Sequence, residues 1–254
     1  MGFLELKTAL MSRTIFFCFS VVLFVFSCKE PVSELPYYNT PDFTPYFLSE
    51  KEAEKKIPHQ IPDFQFLNQH EKLYSSKDLE NKIHVASFIF TTCVDICPKM
   101  TSNMKIVGNF FSNDSLVEIL SFSVTPWIDD SKKLLNYADF YKINSSNWNF
   151  LTGKKAAIYS LARQSYFAEE DFGFSKDSTQ FLHTEHFILV DHNKKIRGIY
   201  NGTLKLEAEQ LVKDIMVLKK ELSFFDLKKA LFLLPRIINE KIRTQSFFAL
   251  CNCH

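Results

Sequence analysis

The sequence has very little glycine, and this scarcity excludes several classes of nucleotide-binding site. Its 254 residues include six glycines against 27 phenylalanines. No phosphate-cradling P-loop and no dinucleotide-binding glycine fingerprint occurs along the chain. An excess of charge of either sign is also missing, because the formal net charge is +1. We therefore expect no general basic field of the kind that binds nucleic acid.

Hydrophobic residues are plentiful instead, at 46% of the chain, which is too many for a disordered protein. The length suffices for one well-filled domain with extensions, and no internal repeat occurs. The predicted organisation is a signal peptide at 1–27, a proline-rich tether at 28–57, one domain at 58–222 and a helical extension at 223–254.

The N-terminus is typical of an export signal. Lys7 and Arg13 precede a run of apolar and small residues at 14–27, which is short for a membrane span. The four residues ending at Cys28 resemble a bacterial lipobox, whose cysteine is lipidated. An uncleaved anchor helix is the alternative. In both cases we predict that the bulk of the chain lies outside the cytosol, on the periplasmic side, tethered at a membrane.

The cysteines fit an extracytoplasmic protein. Cys18 would leave with the signal and Cys28 would carry lipid. The other four form two close pairs, Cys93 with Cys97 and Cys251 with Cys253. Because that compartment permits disulfides, a free dithiol there must be kept reduced by a partner or occupied by a metal.

The first of these pairs stands where a strand is predicted to end and a helix to begin. Residues 83–90 form an apolar run typical of a buried strand, and apolar residues recur at helical spacing over 99–111. A helix N-terminus lowers the pKa of a thiol. Two sulfurs four positions apart in a helical turn can hold one metal ion or close a disulfide. Disulfide exchange and Cu(I) binding are therefore both open to Cys93 and Cys97.

The remaining periodicity predicts an α/β domain with a single mixed sheet covered on both faces by helices, a thioredoxin-like architecture. The predicted elements are a hairpin at 65–73, a helical turn at 75–80, a strand at 117–124, a helix at 129–141, a strand at 148–151, a helix at 154–162, a loop at 167–180, a hairpin formed by 184–191 and 196–200, and a helix at 204–222.

Three stretches of the chain match motifs of one known family, namely Cys-Val-Asp-Ile-Cys-Pro at 93–98, Ser-Phe-Ser-Val-Thr-Pro at 121–126 and Leu-His-Thr-Glu-His-Phe-Ile-Leu-Val-Asp at 182–191. In that order, they resemble the Cys-Pro-Asp-x-Cys-Pro motif, the second-strand segment and the histidine strand of the Sco/SenC family of copper chaperones. The resemblance covers roughly residues 58–222. It departs from the family at Val94, where proline is usual, and at Thr125, where aspartate is usual.

The resemblance implies a thioredoxin-like protein that binds one copper ion, Cu(I) or Cu(II), through Cys93, Cys97 and His183. It also implies a role in assembling cytochrome c oxidase, with the copper-bearing subunit as one partner and a thiol-reducing protein as another. Two thiolates and an imidazole suit Cu(I), and the imidazole allows Cu(II) as well. His186 competes for the ligand role, but three positions along a pleated strand it faces the opposite side from His183.

Other functions remain open for the same residues. A thiol–disulfide oxidoreductase that reduces a partner's cysteines would use the same dithiol, and a peroxidase of the peroxiredoxin kind is a third candidate. A redox dithiol needs no distant histidine, so His183 distinguishes these classes. At the C-terminus, Cys251, Cys253 and His254 form either a second soft metal site or a frayed tail, and the preceding helix either packs on the domain or lies on the membrane.

Overall fold

The computed structural model describes residues 34–168 and 184–224. Its strands are β1 (Tyr37–Tyr38), β2 (Pro45–Tyr46), β3 (Gln65–Asn68), β4 (Leu73–Ser75), β5 (Ile83–Ile89), β6 (Val117–Ser123), β7 (Trp148–Thr152), β8 (His186–Val190) and β9 (Ile196–Asn201). Its helices are α1 (Glu50–Lys56), α2 (Ile96–Phe110), α3 (Ser131–Phe140), α4 (Lys155–Ser160) and α5, described over 205–224. The strands form one mixed sheet in the order β2-β1-β9-β8-β5-β6-β7-β3-β4.

The centre of the sheet brings three chain segments to one end. β5 and β6 are parallel and buried along their whole length, and their register ends with Ile89 opposite Ser123. β8 runs antiparallel to β5, with Ala86 opposite Ile188, so β8 begins where β5 finishes. The loops after β5 and β6 and the start of β8 therefore meet at one end of the sheet. We call it the cysteine end, because Cys93 follows β5.

Alternating side chains of the central strands feed two cores, one on each face of the sheet. On one face α2, α3 and α5 contribute Met104, Leu134 and Ile215. On the other face α4 contributes Ile158, and the β3–β4 hairpin contributes Phe66. This double coverage explains why the central strands read as continuous apolar runs in the sequence.

The predicted fold class is confirmed, with a mixed sheet flanked by helices and an N-terminal hairpin formed by β3 and β4. The helix predicted at 154–162 differs, because α4 ends at Ser160 and continues as a π-helical turn over Leu161–Ser165. The signal peptide, the extension beyond 224 and most of the loop at 167–180 lie outside the described residues. Among those described, no helix is both long and apolar enough to cross a membrane.

The predicted tether at 28–57 contains regular structure from Tyr37 onward. Tyr38 pairs with Ile196 of β9, β2 pairs with β1, and α1 follows. Pro45 is compatible with a strand because β2 is an edge strand, and an edge strand tolerates a residue without a backbone N–H. A capping box between Ser49 and Glu52 begins α1. This Ser-x-x-Glu signal is present in the sequence, but the prolines around it favoured an irregular tether.

A buried arginine holds the start of the described chain against the domain. Nη1 of Arg197 lies 3.1 Å from Oδ2 of Asp191 and 3.0 Å from Oε2 of Glu221 on α5. Nε donates to the carbonyl oxygen of Pro36 and Nη2 to that of Leu35, each at 3.1 Å. The planar guanidinium can make these bonds at once, since it carries five donors in a fixed fork. We call this set the arginine clamp.

Candidate metal centre

The two central cysteines meet at the first turn of α2. Asp95 is the N-cap residue of this helix, but its side chain makes no capping hydrogen bond. The backbone N–H of Cys97 instead donates to Sγ of Cys93 at 3.5 Å. The sulfur of Cys93 therefore satisfies a helix N–H that would otherwise lack an intrahelical partner. This contact brings the two thiol-bearing residues together, as the strand–helix junction predicts.

The two thiols have opposite pKa shifts. Burial raises the pKa of the Cys93 thiol, but N–H groups of Cys97, Asp95 and Ile96 directed at its sulfur outweigh burial, so the net shift is downward. Burial raises the pKa of the Cys97 thiol to about 12, and the negative charges of Cys93 and Asp129 add to the rise. The pair therefore combines a partly exposed Cys93, whose pKa is lowered, with a buried Cys97 that is protonated near neutral pH.

The carboxylate of Asp129 is fully buried and lies behind residues 90–95, which we call the cysteine loop. Oδ1 of Asp129 accepts a hydrogen bond from Oγ1 of Thr91 at 2.5 Å. Oδ2 accepts from the backbone N–H of Thr91 at 3.2 Å, from Oγ of Ser123 at 2.7 Å and from Oγ1 of Thr125 at 2.9 Å. Nζ of Lys133 lies 3.8 Å from Oδ1. Because a buried carboxylate needs such partners, this network fixes the loops after β5 and β6 relative to each other.

Sequence reasoning missed this role of Asp129. Either of the adjacent aspartates Asp129 and Asp130 suits the cap of α3 from sequence alone, and in the structure Asp130 is the cap and accepts from the N–H of Lys133 at 2.7 Å. One carboxylate suffices for a cap. The pair of adjacent aspartates was the available signal that one of them serves another purpose.

Of the two candidate histidines, the structure describes His186 and does not describe His183. The ring of His186 meets that of Phe43 edge-on, at a centroid distance of 5.7 Å, on the face of the sheet that holds Ile188. Its neighbour Phe187 points to the other face and packs in the same core as Cys97. His186 therefore belongs to the face of the sheet opposite the dithiol. The ligand role of His183 stays a prediction, since that residue lies outside the described ranges.

Met100 and Met104 of α2 are buried in the core, as the helical spacing of apolar residues over 99–111 predicts. Four other candidates lie outside the described residues, namely Cys28, Cys251, Cys253 and His254. Within the described ranges, no group of three or more His, Cys, Asp or Glu side chains is placed to hold a metal ion.

A family model and several solved structures match this chain. The family model described as SCO1/SenC matches residues 52–219. A SCO1/SenC family lipoprotein from Bacillus anthracis has a crystal structure 32% identical to this chain, covering 63% of this chain and 95% of its own, with a TM-score of 0.56.

Two further solved structures share the fold. BsSco, described as a member of the Sco family of cytochrome c oxidase assembly proteins in which a disulfide switch was identified, is 29% identical, covers 63% of this chain and 93% of its own, and has a TM-score of 0.53. Copper-bound ScoI of Bradyrhizobium japonicum is 23% identical, covers 62% and 98%, and has a TM-score of 0.50. The likeness to ScoI shows a common fold only.

Proposed function

The chain belongs to the SCO1/SenC family, and from this membership we propose that it is a membrane-tethered, extracytoplasmic copper chaperone. In this proposal Cys93, Cys97 and His183 hold one copper ion as cargo for the copper centre of cytochrome c oxidase. The contact between the Cys97 N–H and Sγ of Cys93 supports the proposal most directly, because it places two soft ligands side by side at a helix start.

The unequal exposure of the two sulfurs suits a protein that must also release its cargo. Cys93 is partly exposed and Cys97 is buried, so an incoming ligand from a partner would replace Cys93 first. Binding at Cys97 displaces the proton that burial holds on this thiol, which couples copper loading to proton release. An open three-ligand site permits such exchange, whereas a closed four-ligand site does not.

The thiol–disulfide oxidoreductase remains the alternative, and the opposite pKa shifts of the two thiols favour it. A thiol with a lowered pKa attacks a partner's disulfide, and the second thiol then resolves the mixed disulfide. Cys93 would attack and Cys97 would resolve. A disulfide between them removes both copper ligands, so the chaperone also needs a thiol reductant as a partner.

The tether of the proposed chaperone is a lipid on Cys28. The lipobox-like sequence supports this assignment, and so does the description of the Bacillus anthracis relative as a lipoprotein. Metabolic labelling with a fatty-acid analogue should mark the wild-type chain and fail to mark Cys28→Ser. Cys18→Ser is the matched control and should be labelled normally. Label retained in Cys28→Ser would contradict the anchor.

Deletion of the gene distinguishes the two functions. Loss of the chaperone should depress cytochrome c oxidase activity, and added copper should restore part of it, because free copper can bypass the delivery step. Loss of a reductase should respond to an external thiol and ignore copper. Restoration by thiol alone would overturn the chaperone role in favour of the oxidoreductase.

A further inference from the structure

The outer strand of the sheet on the β1 side presents aromatic side chains to solvent. In the described part of the chain, no strand pairs with the outer side of β2. Tyr46 of β2 is 40% exposed and the next residue, Phe47, is 60% exposed. Exposed apolar sheet edges are normally covered, because they otherwise promote aggregation. We call β1, β2 and Phe47 the aromatic edge.

The arginine clamp brings this edge close to the proposed lipid. Arg197 binds the carbonyl oxygens of Leu35 and Pro36, and its guanidinium lies 4.0 Å from the ring centroid of Tyr37. The chain is therefore attached to the domain from Leu35 onward. Leu35 is seven positions after Cys28, so the chain between them spans at most about 25 Å when fully extended, whereas an unfolded tether over 28–57 would span about 100 Å.

We propose that the aromatic edge rests on the headgroup region of the membrane that holds the lipid anchor. This inference rests on the lipid anchor of the proposed function. An anchor at Cys28 keeps the edge within about 25 Å of the bilayer, and aromatic rings favour the membrane–water interface. The adjacent helix α1 carries three acidic and three basic residues, so its net charge is zero and apolar contact provides the attraction.

This placement sets the distance between the dithiol and the membrane. In the order of the sheet, β2 is four strands away from β5, and Cys93 follows β5. Neighbouring strands lie about 4.8 Å apart, so the dithiol stands about 20 Å from the lipid-facing edge. A copper-accepting partner in the same membrane would meet the cysteine end at that height.

Depth-dependent fluorescence quenching tests the proposal on the full-length, lipidated protein in phosphatidylcholine–phosphatidylglycerol vesicles. Phe47→Trp is made in a Trp127→Phe background, so that the other tryptophan is the buried Trp148. The matched control is Phe140→Trp in the same background, because Phe140 is 78% exposed on α3, which packs against β7. We expect brominated lipid to quench the tryptophan at 47 about twofold or more and to leave the control unchanged.

Each other outcome contradicts the proposal in a distinguishable way. Equal, weak quenching at both positions, with the protein still floating with the vesicles, would overturn the docking of the edge and leave the anchor intact. A spectral change at 47 that depends on protein concentration and needs no vesicles would mean that a second copy covers the edge. Absence of the protein from floated vesicles would overturn the lipid anchor and the docking with it.

Discussion

Oγ1 of Thr91 donates a 2.5 Å hydrogen bond to Oδ1 of Asp129, so a buried carboxylate holds the loop that carries Cys93. Thr125, at the position where the family usually has aspartate, donates to the other oxygen of the same carboxylate at 2.9 Å. Asp129 therefore supplies the carboxylate behind the cysteine loop in this chain. It acts on the dithiol by positioning the loop and by raising the pKa of Cys97, although burial of that thiol contributes more.

The Thr91–Asp129 contact gives the first prediction. Thr91→Val should lower the free energy of unfolding by about 1–3 kcal/mol, because it leaves part of a buried carboxylate without a partner. Thr92→Val is the matched control, since Thr92 is exposed, and should change stability by less than about 0.5 kcal/mol. Urea denaturation measures both. Equal stability of the two variants would contradict the role assigned to the Asp129 network.

The unequal thiols give the second prediction. Near neutral pH, Cys93 in a Cys97→Ser variant should react with iodoacetamide about tenfold faster than Cys97 in a Cys93→Ser variant, because the thiolate is the reactive form. Serine at 97 retains the backbone N–H that points at the sulfur of Cys93. Mass spectrometry of the peptide containing residues 93–97 reports both rates. Faster alkylation of Cys97 would contradict the opposite pKa shifts of the two thiols.

A buried histidine gives the third prediction, which concerns pH. His84 is fully buried, with Nε2 3.0 Å from Oη of Tyr166, and burial lowers its pKa from 6.5 to about 3. Below pH 6.5 the unfolded chain therefore binds a proton that the folded chain rejects. The contribution of His84 to the free energy of unfolding is therefore complete above pH 6.5. It is lost as the pH falls towards 3, by at most about 1.4 kcal/mol per pH unit.

Denaturation at several pH values tests this contribution of His84. His84→Gln should flatten the fall in stability between pH 7 and pH 5, whatever its effect at neutral pH. His70→Gln, at an exposed histidine, should keep the wild-type slope. A wild-type slope in His84→Gln would mean that another group controls the acid sensitivity.

The arginine clamp gives the fourth prediction. Arg197→Lys should destabilise the protein by about 1–3 kcal/mol, because an ammonium keeps the positive charge but cannot reproduce the fork of donors that pairs Asp191 and Glu221. It should also expose residues 34–57 to limited proteolysis, since the carbonyl groups of Leu35 and Pro36 lose their donors. Lys205→Ala, which removes an exposed ion pair with Glu209, should do neither. Protection of 34–57 in Arg197→Lys would show that the clamp is dispensable.

The sequence predicted those parts of the fold that depend on local pattern. The apolar runs at 83–90 and 117–124 became β5 and β6, and the periodicity before Phe111 became α2. Burial on both faces of the sheet leaves a clear signal in such segments. The junction between strand and helix also placed Cys93 and Cys97 together, because only three residues separate them.

The missed features depend on contacts between distant residues. Nothing local to Arg197 shows that it binds the carbonyl groups of Leu35 and Pro36, more than 160 positions away. The strands β1 and β2 have two residues each and form by pairing onto β9, so they have no periodicity to detect. Asp129 likewise acquires its partner Thr91 through tertiary packing, 38 positions along the chain.

Titration of the reduced protein with Cu(I), followed by Cu(II), tests the central claim most directly. We predict that one Cu(I) binds per chain and that Cys97→Ala greatly weakens this binding. His183→Ala should keep Cu(I) through the two thiolates but weaken Cu(II) much more, because imidazole is the ligand that the oxidised ion prefers. His186→Ala is the matched control, since its ring lies on the opposite face of the sheet, and should bind both ions normally. Unchanged affinity for copper in Cys97→Ala would contradict the proposed site.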